Sequence, residues 1–219
     1  METNPNIYST KLLKRRWLSK KSFEIGLEKP SLFSFKPGQR ICLIYNTAER
    51  DYSMVSTPAD NDLILCIRNV KDGMLSPQLS TLTMGTRLKF TGPHGYFTFQ
   101  PSARPAVFVA TGTGLAPFCS IVSSGVADIT LFHGVTLAED LYYADYLRST
   151  VKRYVACLSN PDESSADYFS GRVTDYLQKH LAPGAYDFYL CGRSEMIRDA
   201  TLLIDERFPG SFIYAEQYF

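Results

Sequence analysis

Residues 50–53 read Arg-Asp-Tyr-Ser, shortly after the apolar run ICLIYN. Arg50 offers a planar, permanently charged fork that matches phosphate oxygens. Tyr52 offers a flat face for stacking, and Ser53 a short hydroxyl that donates and accepts. A flavin presents phosphate, a planar heterocycle and polar ring edges, so this combination fits one; taken alone, RDYS also fits a polar patch on an edge strand. Further on, DGMLS (72–76) places Gly73 and Ser76, with Met74 and Leu75 between them, in a turn able to present amides and a hydroxyl to a pyrophosphate. Arg68 lies just before it.

Two more stretches sit at the ends of apolar runs. TGTGLAPF (111–118) follows AVFVA. Gly112 and Gly114, flanking Thr113, let the backbone approach a phosphate and aim amides and a helix N-terminus at it, with Pro117 tolerated in the first turn. The third glycine of GxGxxG is replaced by Pro117, which leaves a plain tight turn as an alternative. LCGRSEM (190–196) puts Cys191 and Gly192 at a strand tip on the same sheet edge. A thiol there packs against a nicotinamide ring or fills the core.

The elements that position these residues change character near residue 102. Before it, FEIGLE, RICLIYN, LILCIRNV, RLKFTG and YFTFQ are short apolar or alternating runs separated by KPGQ, PADND, KDG and GPHG. They predict an antiparallel β-barrel. After it, AVFVA, DITLFHG, RYVACLS and YDFYLCG alternate with amphipathic stretches, one of them AEDLYYADYLRS, and FIYAEQYF ends the chain. This predicts an α/β doubly wound parallel sheet. The expected domains are therefore 1–101 and 102–219, with ligands beyond the carboxyl ends of the parallel strands.

Composition restricts the setting. The chain has 219 residues, 45% hydrophobic and 21% charged, enough for two domains. It has no apolar run long enough to cross a bilayer, and METNPNIYSTKLLKRR lacks the apolar core of a signal peptide, so a cytoplasmic protein without membrane contact is expected. The five cysteines, 42, 66, 119, 157 and 191, lack CxxC pairing or cluster spacing, which predicts reduced thiols and no built-in metal centre. Residues 1–101 carry 14 Lys+Arg against 8 Asp+Glu, and the remainder 9 against 14. Lys11, Lys14, Arg15, Arg16, Lys20 and Lys21 form a basic run that either steers an acidic macromolecule or lines the solvated face of a hairpin. Apart from Trp17 it has no interleaved aromatics, so nucleic acid is not an expected partner.

RDYS, GMLS, GPHGYF, TGTGLAPF, LCGRSEM and the terminal AEQYF stand in the order and spacing of the ferredoxin-NADP reductase family, over nearly the whole chain. The resemblance implies a flavin-binding barrel and a nicotinamide-binding domain with the active site between them, as in bacterial two-domain members without a fused ferredoxin domain. It implies that Arg50 contacts the flavin phosphate, Tyr52 packs on the isoalloxazine and Ser53 sits near N5. Gly73, Met74, Leu75 and Ser76, with Arg68, fall at the second phosphate-binding turn. Thr113, Gly114, Cys191 and Gly192 fall where the nicotinamide end is held. Glu216 and Tyr218 match a terminal acid and aromatic beside the flavin, and Phe219 resembles the last aromatic that rests on the adenine of FAD. FMN shares the other contacts.

On this resemblance Ser53, Cys191 and Glu216 are the catalytic candidates, no histidine has a catalytic role, and hydride passes from nicotinamide to flavin. Thr136 and Asn160 stand where NADP-using relatives place arginines, with Glu139, Asp140, Asp162 and Glu163 nearby. Only Arg172 offers a cation, which favours NADH over NADPH; Lys152 and Arg153 are the residues best able to overturn this. The expected acceptor is a small acidic ferredoxin or flavodoxin, with an oxygenase fed through such a carrier as a variant, and the chain is expected to be a monomer. Two rival functions stand beside this one: a reductase of free flavin, or a flavin-bearing electron-transfer subunit of a larger complex.

Overall fold

The computed structural model describes residues 6–161 and 167–218. Its first part is an antiparallel sheet of β1 (Ile7–Trp17), β2 (Ser22–Glu28), β3 (Arg40–Tyr45), β4 (Ala48–Ser53), β5 (Asp62–Arg68) and β6 (Arg87–His94), ordered β4-β3-β6-β1-β2-β5. A Met54–Leu65 bridge joins the two ends of this order into a barrel. Alternation fills it: Phe23, Ile25 and Leu27 of β2 point inward and are fully buried, while Glu24 lies on the opposite side. The short helix α1 (Ser76–Leu79) contributes Leu79 to this core, beside Leu75.

The second part is a parallel sheet of β7 (Ala106–Thr111), β8 (Ile129–Val135), β9 (Arg153–Leu158), β10 (Phe169–Ser170), β11 (Asp187–Arg193) and β12 (Phe212–Tyr218), ordered β10-β9-β8-β7-β11-β12. The helices are α2 (Ala116–Ser123), α3 (Ala144–Thr150), α4 (Val173–His180) and α5 (Ser194–Arg207). The order reverses between β7 and β11, so a crevice opens beyond Thr111 and Cys191. This is the barrel followed by a doubly wound sheet that the sequence predicts.

Two local expectations fail, and a third feature resolves to one of its two alternatives, the solvated face of a hairpin. YFTFQ joins no ladder: Phe97 packs its ring 5.6 Å from Phe118 and 6.0 Å from Tyr189, and Phe99 stands 5.8 Å from Tyr189. The alternating aromatics resemble a strand, but Phe97 is buried against the parallel sheet and Phe99 is half-buried there. AEDLYYADYLRS is broken into a 3₁₀ turn (Ala138–Asp140) and α3, with Tyr143 between them at φ 61°. The basic run belongs to β1 and the turn after it, where much of its charge is satisfied internally. Lys14 pairs with Asp62 at 3.0 Å, Arg16 with Glu24 at 3.0 Å, Lys20 with Glu139 at 3.4 Å and Lys11 with Glu28 at 3.9 Å. Arg15 donates to the carbonyls of Leu79 and Leu82.

One apolar cluster spans both parts, with Cys66, Val55 and Leu18 of the barrel packed on the layer that holds Phe108, Phe118 and Tyr189. Polar contacts cross the same seam: Ser120 Oγ donates to Ser56 O at 2.7 Å, and Tyr143 Oη to Glu24 Oε2 at 2.9 Å. Among the described residues, no helix is long and apolar enough to cross a membrane. Phe97 is buried at the centre of the seam. Phe97→Ala is expected to lower unfolding free energy by about 3–5 kcal/mol, read from denaturant melts followed separately at barrel and parallel-sheet probes.

Candidate active-site cleft

A cleft of about 2200 Å³ lies between the barrel and the carboxyl ends of the parallel strands. Single small-molecule sites usually occupy about 300–1,000 Å³, so this space admits two large ligands together. On the barrel wall, Arg50, Tyr52 and Ser53 of β4 line it, as do Arg68 and the turn from Gly73 to Ser76. On the opposite wall are Thr113, Thr136, Arg172, Gly192, Glu216 and Tyr218. Most sequence-predicted positions therefore face one space. Phe219 and the acids Asp162 and Glu163 lie outside the described residues.

Two predicted residues do not face it as expected. Cys191 is fully buried and contributes no cleft surface. Desolvation raises its thiol pKa well above the ordinary value, and Glu216 and Tyr218 lie beside it. Gly114 also lies beneath the surface: a Cβ there would strike the Cys191 carbonyl. Its glycine is demanded by the close approach of the 3₁₀ turn to β11, rather than by a phosphate. Gly192 is comparable, with φ 140° and no room for a Cβ beside Thr111 Oγ1, which accepts from the Arg193 amide at 3.1 Å. Gly112, at φ 54°, is the glycine whose outer side is open.

At the centre of the cleft stands a network missed in the sequence. Ser53 Oγ donates to Glu216 Oε1 at 2.6 Å, and Arg40 Nη1 donates to Glu216 Oε2 at 3.0 Å. Arg40 Nε donates to Asp51 Oδ2 at 2.7 Å. Burial raises the Glu216 pKa, while Ser53 and Arg40 oppose the rise. Arg40 was hidden inside the apolar run RICLIYN; the signal is that β3 pairs it directly with Ser53, a register no spacing displays. His94 also lines the cleft, half-buried with Nε2 2.9 Å from Thr91 Oγ1.

Several observations fit a dinucleotide flavin here. Arg50 and Arg68 form no ion pair among the described residues and line the cleft as cations open to a phosphate. Burial raises the Tyr52 phenol pKa and leaves its ring half-exposed on the cleft. The Tyr218 hydroxyl is buried next to Ser53 and Cys191 without a well-formed hydrogen bond. Ser76 Oγ already accepts the Val70 amide at 3.0 Å, which leaves its proton for a ligand. At the far rim, the Asn160 amide donates to Thr136 O at 3.1 Å. Lys152 and Arg153 instead sit at the opposite end of β9, engaged with Asp128 and Tyr176, and cannot serve this rim.

Residues 10–99 match the family described as an oxidoreductase FAD-binding domain, and residues 108–201 an oxidoreductase NAD-binding domain. Ferredoxin--NADP reductase B of Sorangium cellulosum is 30% identical over 219 residues, covering 87% of this chain and 88% of that protein. The chain belongs to the ferredoxin-NADP reductase family. The toluate 1,2-dioxygenase electron transfer component of Pseudomonas putida is 32% identical over 94% of this reductase-family chain and 66% of its own length. The 2-halobenzoate 1,2-dioxygenase electron transfer component of Burkholderia cepacia is 28% identical over 80% and 56%. The chain thus spans less than two thirds of those two components. Among solved structures, a cytochrome P450 reductase of Amycolatopsis has a TM-score of 0.86 at 25% identity, covering 99% of this chain and 71% of that one. A Neisseria gonorrhoeae ferredoxin NADP+ reductase with bound FAD and NADP shares the fold, with a TM-score of 0.85 at 24% identity over 97% and 99%.

Two outcomes are expected of this family member. Cys42 is the cysteine that is not buried, and its pKa is raised to about 11, chiefly by desolvation. At neutral pH alkylation should be slow throughout and reach Cys42 first, with Cys191 modified only after Tyr218→Ala or unfolding, as read by peptide mass spectrometry. His133, buried below the glycine turn with Nδ1 3.0 Å from Tyr154 Oη, has its pKa lowered by burial to about 4 from 6.5. The unfolded chain binds the proton that the folded one refuses, so stability should fall as pH drops from 6.5 to about 4. His133→Gln should flatten that slope in denaturant melts across a pH series.

Proposed function

We propose that the chain is an NAD(P)H-dependent FAD reductase that delivers electrons to a separate protein carrier, within an oxygenase system or comparable pathway. The observation that carries this reading is the cleft itself: unpaired arginines and a half-exposed tyrosine on the barrel wall face the glycine turns at the switch point of the parallel sheet. The reading takes residues 1–101 as the flavin-binding unit and 102–219 as the nucleotide-binding unit.

Bound FAD supplies hydride acceptance at its ring and onward release of electrons. Arg50 and Arg68 hold its phosphates, with amides and the Ser76 hydroxyl of the turn from Gly73 through Met74 and Leu75. Tyr52 on the barrel and Tyr218 on β12 would offer ring faces to the flavin. Ser53 would offer its hydroxyl to the reactive edge, and Glu216, hydrogen-bonded to Ser53, would hold or release a proton at its carboxylate. Thr113 and Gly192 would shape the seat of the nicotinamide end, with Gly114 holding the turn against β11 beneath it and Cys191 buried beside Tyr218.

NADH is the preferred donor on this reading. Thr136 is neutral and Asp140 adds a carboxylate to the same wall, so Arg172 is the cation left near the β8 and β9 tips for a 2'-phosphate, while Arg193 stands at the tip of β11. The carrier is a small acidic protein. Residues 1–101 carry 14 Lys+Arg against 8 Asp+Glu; much of the β1 charge is already paired, but Lys21 forms no ion pair among the described residues and lines the cleft.

The test is the visible spectrum of the purified protein, followed without oxygen after separate additions of NADH and NADPH. A co-purifying flavin band that NADH bleaches faster than NADPH is expected. A protein that stays colourless with added FAD would sink the assignment, and flavin that washes out freely would favour the free-flavin reductase. Arg50→Ala should weaken FAD retention by about 10- to 100-fold, the loss of a charge-assisted contact, measured by equilibrium dialysis.

A further inference from the structure

We infer that Arg40 is a positioning residue that fixes the Glu216 carboxylate against Ser53, and with it the end of β12 on the barrel. The inference rests on the proposed function for its catalytic consequence, but its geometry stands without it. Arg40 opens β3 and pairs directly with Ser53 on β4 and with His94 on β6. From there its fork spans two carboxylates, Nε to Asp51 at 2.7 Å and Nη1 to Glu216 at 3.0 Å. Adjacent strand positions thus hold the two oxygens of one acid that belongs to the other sheet.

The local backbone is shaped around this fork. Gly95 has φ 85°, and a Cβ there would crowd Arg40 Nη1 and approach Glu216 Oε2. Gln39 Nε2 donates to the Gly95 carbonyl at 3.0 Å, which holds that loop over the arginine. Asp51 is the second anchor: it keeps the guanidinium from swinging into the open cleft. Lysine has the charge but lacks a planar fork, so it cannot bridge both acids with the same geometry.

The groups facing Glu216 are Arg40 from β3, Asp51 and Ser53 from β4, Cys191 from β11 and Tyr218 from its own strand. His94 lies beyond Arg40 with its ring turned to Thr91. Arg40 is the single cation of the set. Its removal leaves a buried carboxylate next to Asp51, so Glu216 must take up a proton more readily or turn away.

The experiment compares wild type with Arg40→Met, Arg40→Lys and Asp51→Asn. Glu216 titration is followed by carboxyl NMR, assigned with Glu216→Gln, and amide exchange by NMR at Gln217 and Tyr218. In Arg40→Met, Glu216 should titrate at higher pH, and the two amides should exchange about tenfold faster, as for loss of one charge-assisted hydrogen bond. Arg40→Lys should restore the titration more than the exchange, and Asp51→Asn should loosen the arginine while lowering the Glu216 titration point. The pH dependence of flavin reduction by NADH should move to higher pH in Arg40→Met, in step with the Glu216 titration. Unchanged titration and exchange in Arg40→Met would overturn the inference. A wild-type chain that binds no flavin would instead refute the proposed function, and the titration would still decide the role of Arg40.

Discussion

The two sheets meet through an aromatic seam, and the cleft opens where that seam gives way to polar and charged side chains. Phe97, on the chain that leaves the barrel, reaches Phe118 and Tyr189, while Phe108 stacks on Phe118 at 4.6 Å. This layer sets the angle at which β4 faces β11 and β12. Every wall of the site is therefore a consequence of how those rings pack, and a shift in the seam moves Ser53 relative to Glu216. Interiors packed to crystal density transmit such shifts rather than absorb them.

At the mouth of the seam the physics reverses. Glu216 is 8% exposed, and an isolated buried carboxylate is costly unless it is paired and hydrogen-bonded. The barrel meets that need with a hydroxyl and a guanidinium, one on each carboxylate oxygen. The polar bridge does little to hold the halves together beyond what the rings achieve, since buried pairs roughly offset their own desolvation. Its contribution is register: an acid on one body seated on two residues of the other.

The fold was legible because its periods are clean. Strands such as FEIGLE alternate, and the helix faces of the second half repeat at helical spacing, so both architectures could be read from local pattern. The misreadings share one cause. Phe97 and Phe99 alternate like a strand, yet their partners lie far along the chain, and Tyr143 breaks a helical pattern by adopting a left-handed backbone that no composition signals. The site was legible to the extent that its residues are clustered in sequence: RDYS and GMLS are contiguous, and they do line one wall. Arg40 was not, because its importance comes from a cross-strand register and from a carboxylate 176 positions away. Cys191 was placed at the right strand tip, but whether a tip residue points outward depends on Tyr218 beside it.

Charge illustrates the same limit in another form. A run of cations in β1 draws the eye, but antiparallel pairing and the neighbouring loop bring Glu24, Glu28, Asp62 and Glu139 beside it, and the run is largely neutralised on the surface. Exposed pairs of this kind add little stability, yet they erase the field that the bare sequence suggests. The cations that matter electrostatically are those the fold leaves without partners, Arg50 and Arg68 among them, and they line the cleft. Six basic and six acidic side chains line the cleft, so the pull on an entering anion is local to the unpaired arginines, where low-dielectric walls focus their field. The charge that guides ligands is thus set by which pairings the topology withholds.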